Sequence, residues 1–500
     1  MNAVHACLTL RRLGIEAYKE TVVYVRTDSP VCTSEGFEAR TRVKVTMADR
    51  HIIATLNVIT SDLLQPGEAG LSEYAWKLLN AKTGETICIS HILPVTSLSY
   101  VRKKIYGKSL KATELNEIVK DITAGYYADV HIAAFLTACA GERLKQHEII
   151  ALTESMIAIG DRITWPEKLV VDKHCVGGLP GNRTTLIVVP IIAAFGLMIP
   201  KTSSRAITSS AGTADTMEVF APVDLNFAKM QAVVNKEKGC IIWGGSVSLS
   251  PADDILIAVE RALNLDSSGQ LVASILSKKI AAGSNRILID IPIGSTAKVR
   301  DLKEARYLKK ILQAAEKKLG VKICVLFSDG TQPIGNGIGP SLEARDVLKV
   351  LENASDAPKD LRDHSLTLAG MLLEFSPKVG KGRGKKLAAE ILKSGQALQK
   401  FKNICEAQGG MRTIPIARYT KPYIAKKSGK VIAIDNRYIA RVAKLAGAPT
   451  SKAAGVDLHV HVGDSIERSQ AIFTVHSESE GELEYAFEFL RLGVEVVTVG

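Results

Sequence analysis

Aromatic residues are scarce in this chain: Phe, Trp and Tyr make up 5% of 500 residues. A protein that stacks single-stranded bases needs such side chains, so the scarcity argues against that class of nucleic-acid binder. The eight cysteines, Cys7, Cys32, Cys88, Cys139, Cys175, Cys240, Cys324 and Cys405, are scattered, and no Cys-x-x-Cys occurs. This argues against a zinc ribbon or a disulfide framework and fits a reducing cytoplasm. Long apolar runs are missing too. The uncharged stretch from Thr184 to Pro200, "TTLIVVPIIAAFGLMIP", falls short of the ~20 residues of a spanning helix and contains Pro190 and Gly196. It reads as a buried helix of an α/β domain, with no membrane partner. The first residues, "MNAVHACLTLRRLG", lack a long apolar core and a small-residue cleavage site, so no signal peptide is expected.

What is present is a globular composition, 46% apolar and 23% charged, in a chain long enough for about two to four domains. The net charge of +12 favours a phosphorylated or polyanionic partner without choosing between a small phosphorylated substrate and nucleic acid.

The pattern changes along the chain. Residues 1–95 alternate apolar and polar in short runs such as "RTRVKVTM" and "HIIATLNVI", the period of strands, and predict an N-terminal β domain. Residues 96–162 turn amphipathic and helical. From 163 to 250 the order is strand, loop, helix, and residues 251–284 are helical again, so the helical domain is expected to be discontinuous. "NRILIDIPIGS" and "VKICVLFSDG" read as buried parallel strands of a second α/β part, 285–410. "GKGRGKKLAAEILKSGQALQKF" reads as a basic loop entering a helix. Strands and turns return in 411–500 as a C-terminal β-rich (α+β) domain. The fold class expected is therefore multi-domain α/β, with a parallel-sheet α/β domain carrying the chemistry.

Two loops stand out. "DKHCVGGLPGNRTT", Asp172 to Thr185, follows a strand and precedes a helix. Its glycines permit close backbone approach, the helix start offers free N–H groups, and Lys173 adds charge. "KTSSRAITSSAGTADTMEVF", Lys201 to Phe220, gathers hydroxyls around Lys201 and Arg205 and also runs from a strand into a helix start. A flexible linker does not fit that context; two such loops at the carboxyl edge of a parallel sheet suggest one phosphate site. Ser274 and Lys278, four apart in "LVASILSKKIAAG", share a helix face. His459 and His461 face the same way on a strand but lack a third ligand, so no metal is expected.

Together these segments resemble the thymidine phosphorylase family of pentosyltransferases over about residues 97–500. "KHCVGG" followed by "SSRAITSSAGTADTMEVF" is similar to the family signature of Ser-x-Arg, then Gly-Thr and an acidic residue. "FSDGTQPIGNGIGPSLEARDVLKVLEN" also looks like a family segment. The extra N-terminal β domain and "SSRAITSSAGTAD" look more like the longer branch, which includes AMP phosphorylases acting on nucleoside 5′-monophosphates. The resemblance implies a helical domain and an α/β domain with a cleft between them, a homodimer or larger homo-oligomer, and no cofactor, inorganic phosphate being a co-substrate.

Carried over by motif, Lys173, Thr185, Ser203 and Thr213 would hold phosphate, with Cys175 standing where a phosphate-binding Ser is usual. Ser274 and Lys278 match residues that read a pyrimidine ring; the family's base-contacting Arg is not in register, Arg261 being offset. In the nucleotide pattern Gly178, the run Ser204, Arg205, Ala206, Ile207, Thr208 and Ser209, then Thr213, Ser274 and Lys298 would bind substrate, and Asp266 would donate the proton. His174, beside Lys173, is a further candidate donor. Two other classes remain open on sequence: a phosphoribosyltransferase of similar architecture, disfavoured because no adjacent acidic pair for magnesium lies near the loops, and a nucleic-acid-binding protein, suggested by charge alone. Asp266 could also be a plain N-cap, since "LDSSGQLVAS" looks like a helix start.

Overall fold

The computed structural model describes residues 6–18, 20–33, 41–206, 209–263, 265 and 267–500. The chain forms two compact units, one of residues 1–159 with 252–270, the other of residues 160–251 with 271–500.

The first unit begins with β1 (Ala6–Leu10), β2 (Val22–Arg26), a short helix α1 (Pro30–Thr33), β3 (Arg42–Met47), β4 (Arg50–Ile59), β5 (Glu68–Leu71), a helix α2 (Glu73–Leu79) and β6 (Thr86–His91). The strands close into a barrel in the order β1-β5-β2-β4-β3-β6. Alternation explains the closure: Val43, Val45 and Met47 of β3 are buried, joined inside by Val23, Val25, Leu56, Ile87 and Ile89. The helix α2 breaks the expected all-β reading of this segment. Cys7 and Cys88 stand directly opposite each other on β1 and β6 and are bonded. This corrects the reading of the scattered cysteines, because strand pairing joins residues 81 apart that spacing alone does not connect.

Four helices follow: α3 (Leu98–Ile105), α4 (Ala112–Thr123), α5 (Asp129–Cys139) and α6 (Gln146–Ile159). A buried ion pair ties the first and last, with Lys104 Nζ 2.7 Å from Glu148 Oε1. Glu148 also accepts the main-chain N–H of Leu110 and Lys145, each at 2.8 Å, so its buried charge is fully partnered.

The second unit opens with β7 (Val171–Cys175), α7 (Thr185–Ala194), β8 (Ile199–Ser203), α8 (Thr213–Phe220), α9 (Phe227–Glu237) and β9 (Gly239–Trp243). The helix α10 (Pro251–Leu263) lies almost wholly in the first unit, and α11 (Ser268–Ala281) leads into β10 (Arg286–Ile293), α12 (Leu302–Leu319) and β11 (Lys322–Asp329). β10 pairs in parallel with β11 and β7, β8 pairs in parallel with β9, and a parallel bridge between Val170 and Met198 joins the two sets. All the strand-to-helix loops therefore leave one carboxyl edge. The uncharged stretch is α7, whose Leu186, Ile187, Val188, Val189, Ile191 and Ile192 are buried in the core beside the sheet. Among the described residues no helix is long and apolar enough to cross a membrane.

Beyond β12 (Gly337–Ile338) come α13 (Pro340–Leu351), α14 (Lys359–Leu373), α15 (Gly384–Lys393) and α16 (Gln396–Gln408). The basic loop thus enters two helices, broken at Gly395. The C-terminal segment has β13 (Tyr419–Ile424), β14 (Gly429–Ile434), α17 (Asn436–Leu445), β15 (Gly455–Leu458), β16 (Ser465–Ile466), β17 (Ala471–Ser477), α18 (Glu480–Arg491) and β18 (Val497–Val499). "DNRYIARV" is a helix and not a strand: Asp435 caps it, accepting from the N–H groups of Arg437 and Tyr438 at 2.8 and 2.9 Å.

Candidate active site

Lys173 is the middle residue of β7 and is 1% exposed. Its Nζ is 2.6 Å from Thr184 Oγ1 and 3.3 Å from the Gly181 carbonyl, so the ammonium is pinned under the glycine-rich loop. Thr184 also donates to that carbonyl, at 2.6 Å. The hydroxyl beside Lys173 is therefore that of Thr184; Thr185, singled out by motif, is buried at the first turn of α7. One residue of register along a helix start turns a side chain by about 100°, which sequence alone does not resolve.

The second loop is built around a carboxylate. Asp215, at the third position of α8, accepts from the main-chain N–H of Ala206 (2.6 Å) and Gly212 (2.9 Å). Arg205 does not present a free charge. Its guanidinium makes two bonds to Glu218 (2.8 and 2.9 Å), approaches Asp215 and Asp224 (3.3 and 3.2 Å), and lies over the Trp243 ring. Lys452 adds a second cation to Glu218 at 2.7 Å, and the two hydrogen-bonding cations, Arg205 foremost, bring the Glu218 carboxyl down to about 2. The Arg205 side chain, expected to contact substrate, is engaged in this internal clasp. Among the described residues Ser203 Oγ and Ser210 Oγ are buried and have no hydrogen-bond partner, an arrangement that costs free energy unless a ligand or solvent satisfies them. Thr213 is buried at the start of α8, Ser209 Oγ donates to the Ala211 carbonyl at 2.7 Å, and Ser204 is exposed. Ile207, Thr208 and Asp266 lie outside the described residues.

The loops meet. A Cβ on Gly178 would fall 2.9 Å from Ser209 Cβ, and one on Gly177, whose φ is +121°, would fall 3.4 Å from Lys298 Cβ. Gly178 leaves no room for a side chain at this approach, and Gly177 holds a φ that side-chain-bearing residues rarely adopt. Three nucleotide-pattern positions, Gly178, Ser209 and Lys298, are thereby gathered at one edge of the sheet.

His174 is half-buried at the end of β7. Burial, then the charges of Lys279, Lys201, Lys173 and Lys278, hold its imidazole well below the ordinary histidine range. It is therefore mostly neutral near pH 7 and offers an N–H hydrogen bond more readily than a proton. The same interaction brings Lys278, half-buried on α11 with Ser274, within electrostatic reach of the first loop. Cys175, in the position usual for a phosphate-binding serine, is a thiol kept protonated by burial and by Asp290. Asp290 accepts from Ser328 Oγ at 2.6 Å, and His364 Nε2 lies 2.8 Å from its other oxygen. Burial alone would raise the Asp290 carboxyl; the His364 hydrogen bond and the Lys173 charge outweigh it and keep the group below its usual range.

Sequence reasoning missed Asp172, Thr184, Lys279, Asp290, His364 and Arg183. Asp215 and its loop bonds were legible as an acidic residue three after Gly212, the spacing of a capping box. His459 Nε2 meets Thr474 Oγ1 at 2.8 Å, and among the described residues no group of three His, Cys, Asp or Glu could hold a metal.

Residues 167–398 match the glycosyl transferase family a/b domain, residues 98–160 its helical bundle domain, and residues 430–496 the pyrimidine nucleoside phosphorylase C-terminal domain. A protein of Legionella pneumophila (strain Philadelphia 1) named "Putative thymidine phosphorylase" is 60% identical over 493 residues, 99% of this chain and 95% of that one. One of the same name from Polaromonas sp. (strain JS666) is 55% identical over 492 residues, 98% and 96% of the two chains. Among solved structures, anthranilate phosphoribosyltransferase of Thermus thermophilus superposes with a TM-score of 0.53 at 19% identity, covering 62% of this chain and 98% of its own, a likeness of fold alone. Domain order, full-length identity and the paired loops lead to one assignment: the chain belongs to the thymidine phosphorylase family, in its longer branch, and is a pentosyltransferase.

Proposed function

We propose that the enzyme cleaves a nucleoside with inorganic phosphate, in the manner thymidine + phosphate = thymine + 2-deoxyribose 1-phosphate. The observation that carries this is the paired-loop anion site: Lys173 pinned beneath one loop, and the unpartnered Ser203 hydroxyl at the start of the other. Its full-length relatives carry a thymidine phosphorylase name, which favours a pyrimidine nucleoside.

In the reaction a phosphate oxygen attacks the anomeric carbon, the glycosidic C–N bond breaks, and its electron pair leaves with the base. Positive charge develops on the sugar and negative charge on the base. Lys173, Ser203 and Thr213 hold and aim the phosphate, an orientation worth up to ~7–11 kcal/mol at the favourable limit. Ser274 and Lys278 hydrogen-bond a pyrimidine carbonyl and stabilise the leaving base. His174, being neutral, adds an N–H donor. The test is release of free base from thymidine, uridine, AMP, CMP and UMP with and without phosphate. Release is expected only with phosphate; equal release in its absence would make the protein a hydrolase.

The second reading, a nucleoside 5′-monophosphate such as AMP giving ribose 1,5-bisphosphate, is favoured by the meeting of Gly178, Ser209 and Lys298. A purine leaves best when a ring nitrogen is protonated, the role assigned to Asp266. Under that reading Asp266→Asn should depress AMP turnover by ~10²–10⁴ while having a mild effect on thymidine. Full AMP turnover with an unchanged melting temperature would leave Asp266 as a helix cap only.

A further inference from the structure

Behind the paired loops two lysines converge on one carbonyl. Lys201 Nζ lies 2.9 Å from the Thr202 oxygen, and Lys279 Nζ lies 3.1 Å from the same atom. One carboxylate serves both: Asp172 is 2.8 Å from Lys279 and 3.8 Å from Lys201. The three side chains are 0–5% exposed, and Asp172 Oδ1 also accepts the Lys173 main-chain N–H at 2.7 Å.

Two ammonium groups cannot occupy this arrangement at low cost. An ammonium has three donors and no acceptor, so two of them sharing one carbonyl oxygen and one carboxylate bring more donors than these acceptors serve. Two positive charges against one buried carboxylate would also leave one uncompensated, and buried groups in that position neutralise. Lys201 is the member affected: burial, then the Lys279 charge, hold its ammonium well below the ordinary lysine range. The other groups facing it do not restore the balance. Lys173 and His174 on β7 add no negative charge, and Cys240 on β9 is a thiol kept protonated by its burial. Counting on from the Val170–Met198 bridge, Lys201 is level with Lys173, and Ser203 follows two residues later with its hydroxyl unpartnered. An anion held by Lys173 and Ser203 therefore lies in the field of the lysine pair.

We propose that the Lys201–Lys279 pair carries one positive charge when the site holds no anion and two when phosphate is bound, taking up a proton from solvent on binding and returning it when the pentose phosphate leaves. The inference rests on reading the paired loops as a phosphate site. It gives that site a charge that appears only in the presence of the charge it serves.

Calorimetric titration of the full-length protein with inorganic phosphate near pH 8.5, in two buffers of different ionisation enthalpy, should show uptake of about one proton per phosphate bound. Lys201→Met and Lys279→Met should each bind phosphate more weakly and without that uptake, because one lysine facing the Asp172 carboxylate leaves no charge uncompensated. Any proton contributed by phosphate itself would be the same in all three proteins. Absence of uptake by the unmodified enzyme, or uptake of equal size in whichever variant folds, overturns the proposal. Failure of the unmodified enzyme to bind phosphate at all would instead remove the anion site, and this inference with it.

Discussion

Lys173→Met is expected to lose ~10²–10³ in kcat/KM for phosphate, the usual cost of removing one preorganised charged donor. Methionine preserves the length and burial of the side chain, and Asp290, which loses the Lys173 charge, keeps its bonds to His364 and Ser328, so the fold should tolerate the change. The effect should fall on the phosphate requirement more than on the nucleoside requirement, because the ammonium lies under the glycine-rich loop and bonds within it to Thr184 and Gly181. Thr213→Ala, which removes a neutral donor from the second loop, should act in the same direction by about tenfold or less. Initial rates against phosphate at saturating nucleoside, with thermal melts alongside, decide the matter. Unchanged phosphate dependence in both variants would sink the placement of the anion. Equal losses toward both substrates would mean that Lys173 only shapes the loop.

Arg183→Met is expected to destabilise the second unit by ~3–5 kcal/mol, the range for breaking a buried ion pair on one side. Arg183 is fully buried, donates to the Gly337 carbonyl, and lies 3.4 Å from Asp346 Oδ2 and 3.5 Å from Glu343 Oε1. Its removal strands two carboxylates. They are not equivalent. Asp346 is also held by the N–H groups of Asn336 and Gly337 at 2.8 and 2.7 Å, whereas burial pushes the Glu343 carboxyl up to about 7. A raised carboxyl stabilises the fold fully below its unfolded value, and that contribution is lost as pH rises through the folded value. Arg183 offsets part of the loss, so the damage in Arg183→Met should be larger near pH 8 than near pH 6. The melting temperature should fall by roughly 6–20 °C. A loss of the same size at both pH values would make Asp346 the sole partner that matters.

The parts of this enzyme legible in the sequence are those set by local pattern. "NRILIDIPI" and "VKICVLFSD" announce buried parallel strands because both faces are apolar, and "TTLIVVPIIAAF" announces a buried helix for the same reason. "GCIIW" announces nothing, because five residues between a helix and a glycine pair give too short a run to show a period, although it forms the strand beside β8. The loops are legible because hydroxyls and glycines cluster there. Their wiring is not. Arg205 reads as a ligand for an anion until Glu218, Asp215 and Asp224 are seen to surround it, and those contacts depend on how α8 turns back over the loop. The meaning of Asp172, Lys279 and Asp290 depends on partners 38 to 107 residues away, brought near only by the fold. The Cys7–Cys88 pair belongs to the same class, since barrel closure creates it.

The carboxylate of Asp215 holds the chain at both Ala206 and Gly212. Both bonds end on one atom, Oδ2, so a single oxygen rivets two points of the chain. Asp215→Ala would therefore free both points together, whereas Asp215→Asn would keep an acceptor only if its amide oxygen took the place of Oδ2.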